Sequence, residues 1–549
     1  MHPQGISSPT FKAGPVDGTL TIPQLLELQL EQSPDHPAFI YDLPSGDIVS
    51  ITFSQYIRAV HAAAGRLLQN TTPIGYGKPT IVGLFANTDC LSFFTMCTGA
   101  MRAGMQPFNI SPRNSPASLA HLLKQTNPAV IYVSTDLRAV VEDALRIYGR
   151  PLPVFDCLTF ESLQSGLEGA AAESLPPVVA TMDSTALVIH SSGSTSTLSK
   201  PVYISHKLLL QYASNPWYSN EDRCGQILSC HTLPNFHGIG LFMQTWPFTS
   251  GLAIAVPRPA VPYNQPRAQD AIKAMLAIKP DLVMSTPACI ESWSEDPTAI
   301  QVLQSLKALT YCGATLAKRV GDFLVAQGVV LCSSYGAMEI GVVTPFFTSH
   351  GKDWDYLSLR EGVDAVVLPE NDGSGMYTHA YLVGPHFSAA FTNVEIDGHL
   401  GCALSDLLEQ HPDPEKAHLH RVYGRKDDLI PFSSAAKMNP VPFGSNPFVE
   451  SSVVFGHGRS HPGIIVQLRQ EFRSQLVEGG KMTEVLASIW ASVEAVNKES
   501  PTHFRIRKEC IILADPAKPF SVTSKFQPRR KVVVEEYREE IASVYDSKL

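Results

Sequence analysis

The chain has 549 residues, 44% of them hydrophobic, and a formal net charge of −9 at pH 7. This length is too great for one hydrophobic core and favours a large domain with a smaller one. The negative charge argues against nucleic acid as a partner. No run approaches the roughly 18 to 20 apolar residues of a membrane span, which argues against a transmembrane segment.

Strand and helix patterns alternate along the first part of the chain. TIVGLFA at 80–86 and AVIYVS at 129–134 predict buried strands, and Ser54 is predicted to cap a helix that precedes both of them. GLAIAVP and DLVMST predict further strands. A helix over 318–327 is predicted to bury Val320, Phe323 and Leu324 on one face. The sequence therefore predicts an α/β fold of layered sheets and helices, with ligand-binding loops at the strand ends.

A hydroxyl-rich loop at 191–199 separates the apolar stretch TALVI from the alternating stretch PVYIS. Serine and threonine hydroxyls, together with successive main-chain N–H groups, form a concave donor surface for anions, and Lys200 adds positive charge at the loop's end. Composition alone leaves two interpretations open, a phosphate-binding loop and a plain connection between strands, and the plain connection is the commoner of the two.

Three further stretches follow this loop in a fixed order: LPNFHGIG at 233–240, SSYGAMEIG at 333–341 and VYGRKDDLI at 422–430. The succession resembles the adenylate-forming superfamily, which includes acyl- and aryl-CoA ligases, luciferases and the adenylation domains of peptide synthetases. The chain is most similar to the adenylation domain of fungal synthetase-like carboxylic acid reductases. The resemblance covers residues 22–545, almost the whole chain.

The resemblance implies an ATP site. The implied nucleotide-binding residues are Ser192, Gly193, Ser194, Thr195 and Lys200 at the phosphates, Gly313, Ala314, Gly336 and Met338 along the nucleotide, Tyr335 on the adenine, and Asp406 with Arg425 on the ribose. Glu339 is implied as a Mg²⁺ ligand, a role for which a carboxylate oxygen is suited. The family usually has threonine at the position of Met338.

The resemblance also implies residues for the acid and for catalysis. His237 takes the position at the carboxylate end of the acyl pocket, although a lone histidine is more often structural. Domains that activate α-amino acids usually carry an aspartate here, whereas this chain has Asn235, Phe236 and His237. An aryl or alkyl acid without an α-amino group is therefore expected. Lys525 is implied to stabilise the negative charge that gathers on the phosphate oxygens.

The resemblance further implies a hinge at Asp427. We therefore expect a large adenylation domain over residues 1–426 and a small mobile α+β domain over residues 427–549. The small domain is predicted to contain a helix at 483–497. The apolar residues expected to be buried by this helix are Leu486, Ile489, Trp490, Val493 and Val496.

The expected activity is that of an acid–thiol ligase. Such an enzyme uses ATP and Mg²⁺ to make an acyl-adenylate and transfers the acyl group to a thiol, here most simply CoA. Two alternatives stay open: loading of the phosphopantetheine of a separate carrier protein, and an impaired relative that binds nucleotide or acyl groups without turnover. The impaired alternative rests on departures from the family pattern at Ser196, Thr197, Met338, Ala435, Ala436 and Phe526.

The last three residues, Ser547, Lys548 and Leu549, match the tripeptide that the peroxisomal import receptor reads at a free C-terminus. We therefore expect a free-standing peroxisomal protein, and otherwise a cytoplasmic one. The ten cysteines show no CxxC pairing or metal spacing, and Cys90, Cys97 and Cys332 lie in apolar stretches. Reduced, buried thiols are expected.

Overall fold

The computed structural model describes most of the chain: residues 1–71, 80–165, 175–191, 199–260, 262–370, 375–426, 430–431, 437–438, 446–456, 461–473, 482–499, 505–522 and 528–546. Several predictions fall outside these residues and stay predictions. They concern Ser192, Gly193, Ser194, Thr195, Asp427, Lys525 and the tripeptide Ser547, Lys548 and Leu549. The division of the chain at residue 427 likewise stays a prediction.

The strands are mostly short, and many lie within the apolar stretches of the sequence. In chain order they are β1 (Pro37–Asp42), β2 (Ile48–Thr52), β3 (Ile81–Phe85), β4 (Gln106–Ile110), β5 (Val130–Val133), β6 (Val154–Asp156), β7 (Thr185–His190), β8 (Pro201–Ser205), β9 (Ile227–Ser229), β10 (Ala253–Ala255), β11 (Leu282–Ser285), β12 (Ala308–Tyr311), β13 (Leu331–Ser333), β14 (Gly336–Ala337), β15 (Gly341–Val342), β16 (Ala365–Pro369), β17 (Tyr377–Leu382), β18 (Val394–Ile396), β19 (His399–Ala403), β20 (Asp406–Gln410), β21 (His420–Arg425), β22 (Ile430–Pro431), β23 (Lys437–Met438), β24 (Val449–Phe455), β25 (Gly463–Leu468) and β26 (Ile511–Leu513).

The α-helices of the described residues alternate with the strands in the first part of the chain. They are α1 (Ile22–Gln32), α2 (Phe53–Asn70), α3 (Cys90–Arg102), α4 (Pro116–Thr126), α5 (Arg138–Tyr148), α6 (Phe160–Ser165), α7 (His206–Ala213), α8 (Gly238–Phe242), α9 (Trp246–Ser250), α10 (Ala268–Ile278), α11 (Pro287–Trp293), α12 (Pro297–Gln304), α13 (Lys318–Ala326), α14 (Gln470–Arg473), α15 (Met482–Glu499), α16 (Arg530–Glu536) and α17 (Arg538–Asp546). Among them, none combines the length and the apolar character needed to cross a bilayer.

Two largely parallel sheets form the centre of the large domain. One has the strand order β13-β12-β11-β9-β10-β1-β2, and the other has the order β6-β5-β3-β4-β7-β8. Only β2 and β8 run antiparallel to their neighbours, each at one edge. A third, antiparallel sheet holds β16 to β21. The predicted α/β class is thus confirmed.

The main core lies between the two parallel sheets. Its cluster of buried apolar side chains includes Phe39 of the first sheet, Leu84 of the second, and Phe94 and Trp246 of helices α3 and α9. Fully burying a side chain of this size stabilises the fold by roughly 1.5–3 kcal/mol. Cys90, Cys97 and Cys332 are buried free thiols, as predicted. Burial raises the pKa of each, so these thiols are protonated at neutral pH.

Two details of the predicted helices are wrong. Helix α2 is capped by Thr52, whose Oγ1 accepts from the main-chain N–H of Gln55 at 3.3 Å, while Ser54 is already helical. In α13, Val320 and Leu324 are buried but Phe323 is 41% exposed. The buried face of α13 is centred near Gly321, which packs against the ring of Trp354, and this turns Phe323 toward solvent.

The small domain has a three-stranded sheet of β24, β25 and β26 with apolar side chains on both faces. On one face, Ile489 and Val493 of α15 pack as predicted, together with Val485. Leu486, Trp490 and Val496, also expected to be buried, are only half-buried. On the other face the sheet packs against α16, which supplies Val533. The architecture is therefore a large α/β domain followed by a small α+β domain, as predicted.

Candidate functional site

The candidate site lies at the carboxyl ends of the strands in the first parallel sheet. Because parallel strands end at the same edge, the residues that follow β12 and β13 lie side by side. The N–H of Ser334 donates to the carbonyl of Tyr311 at 3.1 Å, which ties the exit of β13 to that of β12. Gly313 has φ = 82° there, a left-handed conformation that favours glycine. The segment with Gly313 and Ala314 therefore borders the segment that leads to Tyr335.

Tyr335 and Asp406 meet, although they are 71 residues apart in the chain. The phenol of Tyr335 donates to Oδ2 of Asp406 at 2.9 Å. Burial, and then the neighbouring Tyr381 and Asp406, raise the pKa of Tyr335 well above its usual range, which keeps the phenol a donor. Arg425 pairs in register with Asp406 across β20 and β21, and its Nε lies 3.9 Å from Oδ1. The three predicted nucleoside residues form one cluster.

The hairpin β14–β15 presents Glu339 at its turn. Gly336 is required in this hairpin, because a Cβ there would lie 2.4 Å from the carbonyl oxygen of Gly341. The main-chain carbonyl of Glu339 accepts from the N–H of Ala390 at 2.7 Å. The charge of Glu339 adds to burial in raising the pKa of Tyr212 and Cys402, which places its carboxylate near both side chains.

Two neighbouring residues of helix α7 form hydrogen bonds that hold this hairpin in place. Nε2 of Gln211 donates to the carbonyl of Ile340 at 2.8 Å, and Oε1 of the same amide accepts from the N–H of Ser388 at 2.8 Å. The next residue, Tyr212, donates its hydroxyl to the carbonyl of Ala337 at 2.8 Å. Helix α7 directly follows β8, the strand after the hydroxyl-rich loop. That strand therefore leads into the helix whose Gln211 and Tyr212 bond to the main chain on either side of Glu339.

The loop with His237 contacts the same hairpin. His237 is the N-cap of α8, and the carbonyl of Pro234 accepts its N–H at 3.2 Å. Gly240 is sterically required, because a Cβ would lie 2.0 Å from the oxygen of Pro234. At Gly238 a Cβ would lie 3.1 Å from Cγ of Met338. The predicted acid-pocket loop therefore packs directly against the residue that precedes Glu339.

The hydroxyl-rich loop leaves the second sheet at Ser191 and re-enters it at Lys200, and these two residues form the neck of the loop. The stretches TALVI and PVYIS lie in strands β7 and β8, which pair antiparallel. Next to the paired strands, the N–H of Ser191 donates to the carbonyl of Lys200 at 2.9 Å, and Oγ of Ser191 accepts from the N–H of Lys200 at 3.1 Å. The Lys200 side chain is exposed at this neck. Arg529 of the small domain lies near enough for its charge to help lower the pKa of His190.

Glu339 fits a magnesium ion that arrives with a nucleotide. Within the described residues no group of three or more His, Cys, Asp or Glu side chains gathers at one point, so the structure offers no dedicated metal cage there. Mg²⁺ usually binds proteins through one or two carboxylates while waters and substrate phosphates complete its octahedron. A single carboxylate beside the nucleoside cluster satisfies that requirement.

The sequence patterns did not indicate Gln211 and Tyr212, the two residues that bond to the hairpin of Glu339. They occupy a short amphipathic helix, a pattern with no functional signal of its own. The only available signal was their position just after the strand PVYIS, which ends the hydroxyl-rich loop.

Family models and known proteins match most of this chain. Residues 26–369 match the model of the AMP-binding enzyme family, and residues 427–549 match that of the AMP-binding enzyme C-terminal domain. The adenylate-forming reductase Nps10 of Heterobasidion annosum is 33% identical over 99% of this chain and 51% of its own length. A carboxylic acid reductase of Neurospora crassa is 25% identical over 90% of the chain and 47% of its length. The chain thus spans about half the length of the curated relatives it matches.

Solved structures show the same fold. The A domain of a carboxylic acid reductase from Segniliparus rugosus, in complex with AMP and a co-purified carboxylic acid, has a TM-score of 0.72 at 15% identity, covering 96% of this chain and 95% of that one. The anthranilate CoA ligase AuaEII, in complex with anthranoyl-AMP, has a TM-score of 0.71 at 15% identity, covering 95% and 98%. The match of residues 26–369 decides the assignment: the chain belongs to the AMP-binding enzyme family.

Proposed function

We propose that this protein activates a carboxylic acid with ATP, giving an acyl-adenylate and pyrophosphate. The observation that carries the proposal is the contact between two subsites. The nucleoside cluster of Tyr335, Asp406 and Arg425 adjoins the hairpin of Met338 and Glu339, and this hairpin packs against Gly238 beside His237. A nucleotide on one side and an acid on the other would have their reactive ends at this hairpin.

Each end of the nucleotide has suitable partners. The ring of Tyr335 offers an aromatic face to adenine, and the Asp406 carboxylate and Arg425 guanidinium offer an acceptor and donors to the ribose hydroxyls. The loop with Ser192, Gly193, Ser194 and Thr195 is assigned to the phosphates, with Lys200 at its neck. Gly313 and Ala314 border the base.

Three side chains are assigned to the reacting groups, two at the phosphates and one at the acid. Glu339 would hold Mg²⁺, which when bound spreads the negative charge of the phosphate oxygens. Lys525 would bring an ammonium group to the α-phosphate as the carboxylate attacks. His237 would lie at the carboxylate end of the acid. The small domain that carries Lys525 is close to the loop neck, as the effect of Arg529 on His190 indicates.

The second step in our proposal transfers the acyl group from AMP to a thiol, for which CoA is the primary candidate. The thiol releases its proton to water, the sulfur attacks the acyl carbon, the bond between that carbon and the phosphate oxygen breaks, and AMP leaves with the electron pair. A carrier-protein phosphopantetheine is the second candidate, because the relatives named adenylate-forming reductases are about twice as long as this chain. The substrate class is proposed as aryl or alkyl acids without an α-amino group, since Asn235, Phe236 and His237 supply no carboxylate for an ammonium group.

The decisive experiment is ATP–pyrophosphate exchange by the full chain with a panel of aryl, alkyl and α-amino acids. Exchange with at least one aryl or alkyl acid is expected. Adding CoA alone should then release AMP continuously, whereas a carrier-dependent enzyme would stop after one turnover. Absence of exchange with every acid, together with retained ATP binding, would favour the third candidate, a binding protein without turnover.

A further inference from the structure

His190, the last residue of β7, stands at the neck of the hydroxyl-rich loop and is 8% exposed. Its Nε2 lies 3.0 Å from the main-chain nitrogen of Ser111 and 3.3 Å from Nδ2 of Asn114. Both of these groups are donors, so Nε2 must accept and the ring proton must sit on Nδ1. From there it is donated to the carbonyl of Ser191 at 2.9 Å. The geometry thus requires one uncharged tautomer.

The partners of His190 belong to a turn, residues 111–114, that follows β4. Strand β4 runs parallel to β7 in the second sheet, so the turn and the loop neck emerge at the same edge. Asn114 is fixed in its orientation, because Nδ2 donates to the carbonyl of Ser111 at 3.0 Å and Oδ1 accepts from the hydroxyl of Ser118 at 2.9 Å. The turn is therefore a rigid set of donors that faces His190.

The other side of the same turn contacts the acid-pocket loop. The guanidinium carbon of Arg113 lies 5.5 Å from the centre of the Phe236 ring, and Phe236 directly precedes His237. Burial lowers the pKa of Arg113 to about 10, and its Nη2 donates to Oε1 of Gln265 at 2.9 Å. Arg113 remains a cation at neutral pH. The turn 111–114 thus touches the loop neck through His190 and the acid-pocket loop through Phe236.

We propose that His190 is a positioning residue: as the Nδ1–H tautomer it fixes the neck of the hydroxyl-rich loop, at Ser191, against the turn 111–114, and so holds the neck in register with the acid-pocket loop. The inference rests on the proposed adenylation reaction and adds a residue to it. Protonation would place an N–H against the donors of Ser111 and Asn114, which would separate the neck from the turn 111–114.

The surroundings of His190 favour the uncharged ring. Burial lowers the pKa of His190, and the charge of Arg529 from the small domain acts in the same direction. From β4, the edge of Phe108 faces the ring at a centroid distance of 6.3 Å, and the turn contributes the non-titrating Ser111 and Asn114. Protonation therefore occurs below the ordinary histidine value of 6.5.

Three substitutions separate positioning from space filling. His190→Gln keeps an uncharged acceptor, Oε1, at the reach of Nε2. His190→Asn keeps only the donor toward Ser191, and His190→Leu removes both functions. In steady-state exchange with the best acid of the panel, the Asn and Leu variants should raise the KM for ATP by about tenfold, as expected for an unmet buried hydrogen bond. The Gln variant should stay within about threefold of wild type.

The pH profile supplies the readout that a merely structural role would not change. The kcat/KM of the wild type for ATP should fall as the pH drops below 6.5, which forms the acid limb of the profile. The His190→Gln variant should lack this acid limb because its amide gains no proton. Asn114→Asp should shift the limb toward neutral pH, since a carboxylate favours the protonated ring. The Asn114 variant also tests the proposal if His190→Leu fails to fold.

The outcomes separate two failures. A wild type that exchanges no pyrophosphate with any acid would refute the proposed function. An active wild type whose folded His190→Leu variant has an unchanged KM for ATP, or whose His190→Gln variant keeps the acid limb, would refute the role of His190 alone.

Discussion

At the scale of single residues, the hydrogen bond from Tyr335 to Asp406 joins the residue assigned to adenine with the residue assigned to ribose. Removing only the hydroxyl, as in Tyr335→Phe, leaves the aromatic face but frees the Asp406 carboxylate to rotate. We expect the KM for ATP to rise by about fivefold in pyrophosphate exchange, with kcat nearly unchanged, because the lost bond is partly exposed to water.

A matched control for this substitution exists in the same sheet. The hydroxyl of Tyr377 lies 2.6 Å from Nδ1 of His420, a partner outside the nucleoside cluster. Tyr377→Phe should lower thermal stability and leave the KM for ATP unchanged. Equal effects of the two substitutions on the KM would contradict a specific role for the Tyr335 hydroxyl.

Lys525 carries the prediction with the largest expected effect on rate. If its ammonium group stabilises the charge that develops at the α-phosphate, Lys525→Ala should lower pyrophosphate exchange by at least about a hundredfold. ATP binding, measured by calorimetry, should stay nearly intact because the group acts mainly in the transition state.

Lys518 of the same domain provides the control for charge removal. Its ammonium group bonds to Oε1 of Glu540 at 2.8 Å on the surface. Lys518→Ala should leave exchange close to wild type. Unchanged pyrophosphate release in the Lys525 variant would contradict the role of Lys525 at the α-phosphate.

At the scale of elements, helix α7 connects the end of the hydroxyl-rich loop to the hairpin of Glu339. Gln211→Ala removes the side-chain amide, and with it the hydrogen bonds to the Ile340 carbonyl and from the Ser388 N–H. Because the hairpin can then shift, we expect kcat/KM for exchange to fall by about tenfold and the apparent Mg²⁺ requirement to rise. Titrating exchange against Mg²⁺ at fixed ATP measures both effects.

Gln304 offers a comparable amide outside the site. Its Nε2 donates to the carbonyl of Gln327 at 2.7 Å, between α12 and the end of α13. Gln304→Ala should change neither the rate nor the Mg²⁺ requirement. A Gln211 variant indistinguishable from the Gln304 variant would show that α7 does not position Glu339.

The elements also show what sequence patterns can predict. Strands β3, β5, β10 and β11 were predicted because each lies in a short apolar run that a buried parallel strand requires. The errors at Ser54 and Phe323 arise because a cap can lie two residues away, and a helix face can rotate slightly, without altering the periodic pattern. Tyr335 and Asp406 were paired only through the family resemblance, and the bonds of Gln211 and His190 were not predicted. Hydrogen bonds between residues tens of positions apart leave no periodic trace in a sequence.

At the scale of the whole molecule, buried histidines predict how stability depends on pH. Burial lowers the pKa of His206, His231 and His379 from 6.5 to about 4 in each case. The unfolded chain therefore takes up protons at these residues below pH 6.5 while the folded chain does not, so stability is complete above pH 6.5 and falls as the pH drops toward 4. The thermal unfolding midpoint should decrease markedly between pH 6.5 and pH 5.

A variant separates this effect from general acid destabilisation. His231→Gln removes one of the groups that titrate in the unfolded state, so its unfolding midpoint should depend less steeply on pH than that of wild type, whatever its absolute stability. An identical slope for both proteins would contradict a contribution from His231.

The position of β8 has a consequence for how this site can evolve. Among the described strands, β8 is the outermost of its sheet and pairs only with β7, while bonds between Ser191 and Lys200 close the hairpin at the start of the loop. Residues inserted or deleted between those two positions leave the register of β4 and β7 unchanged. The length of the hydroxyl-rich loop is thus free to vary between lineages without disturbing the core, so selection can act on an extra residue there through activity alone.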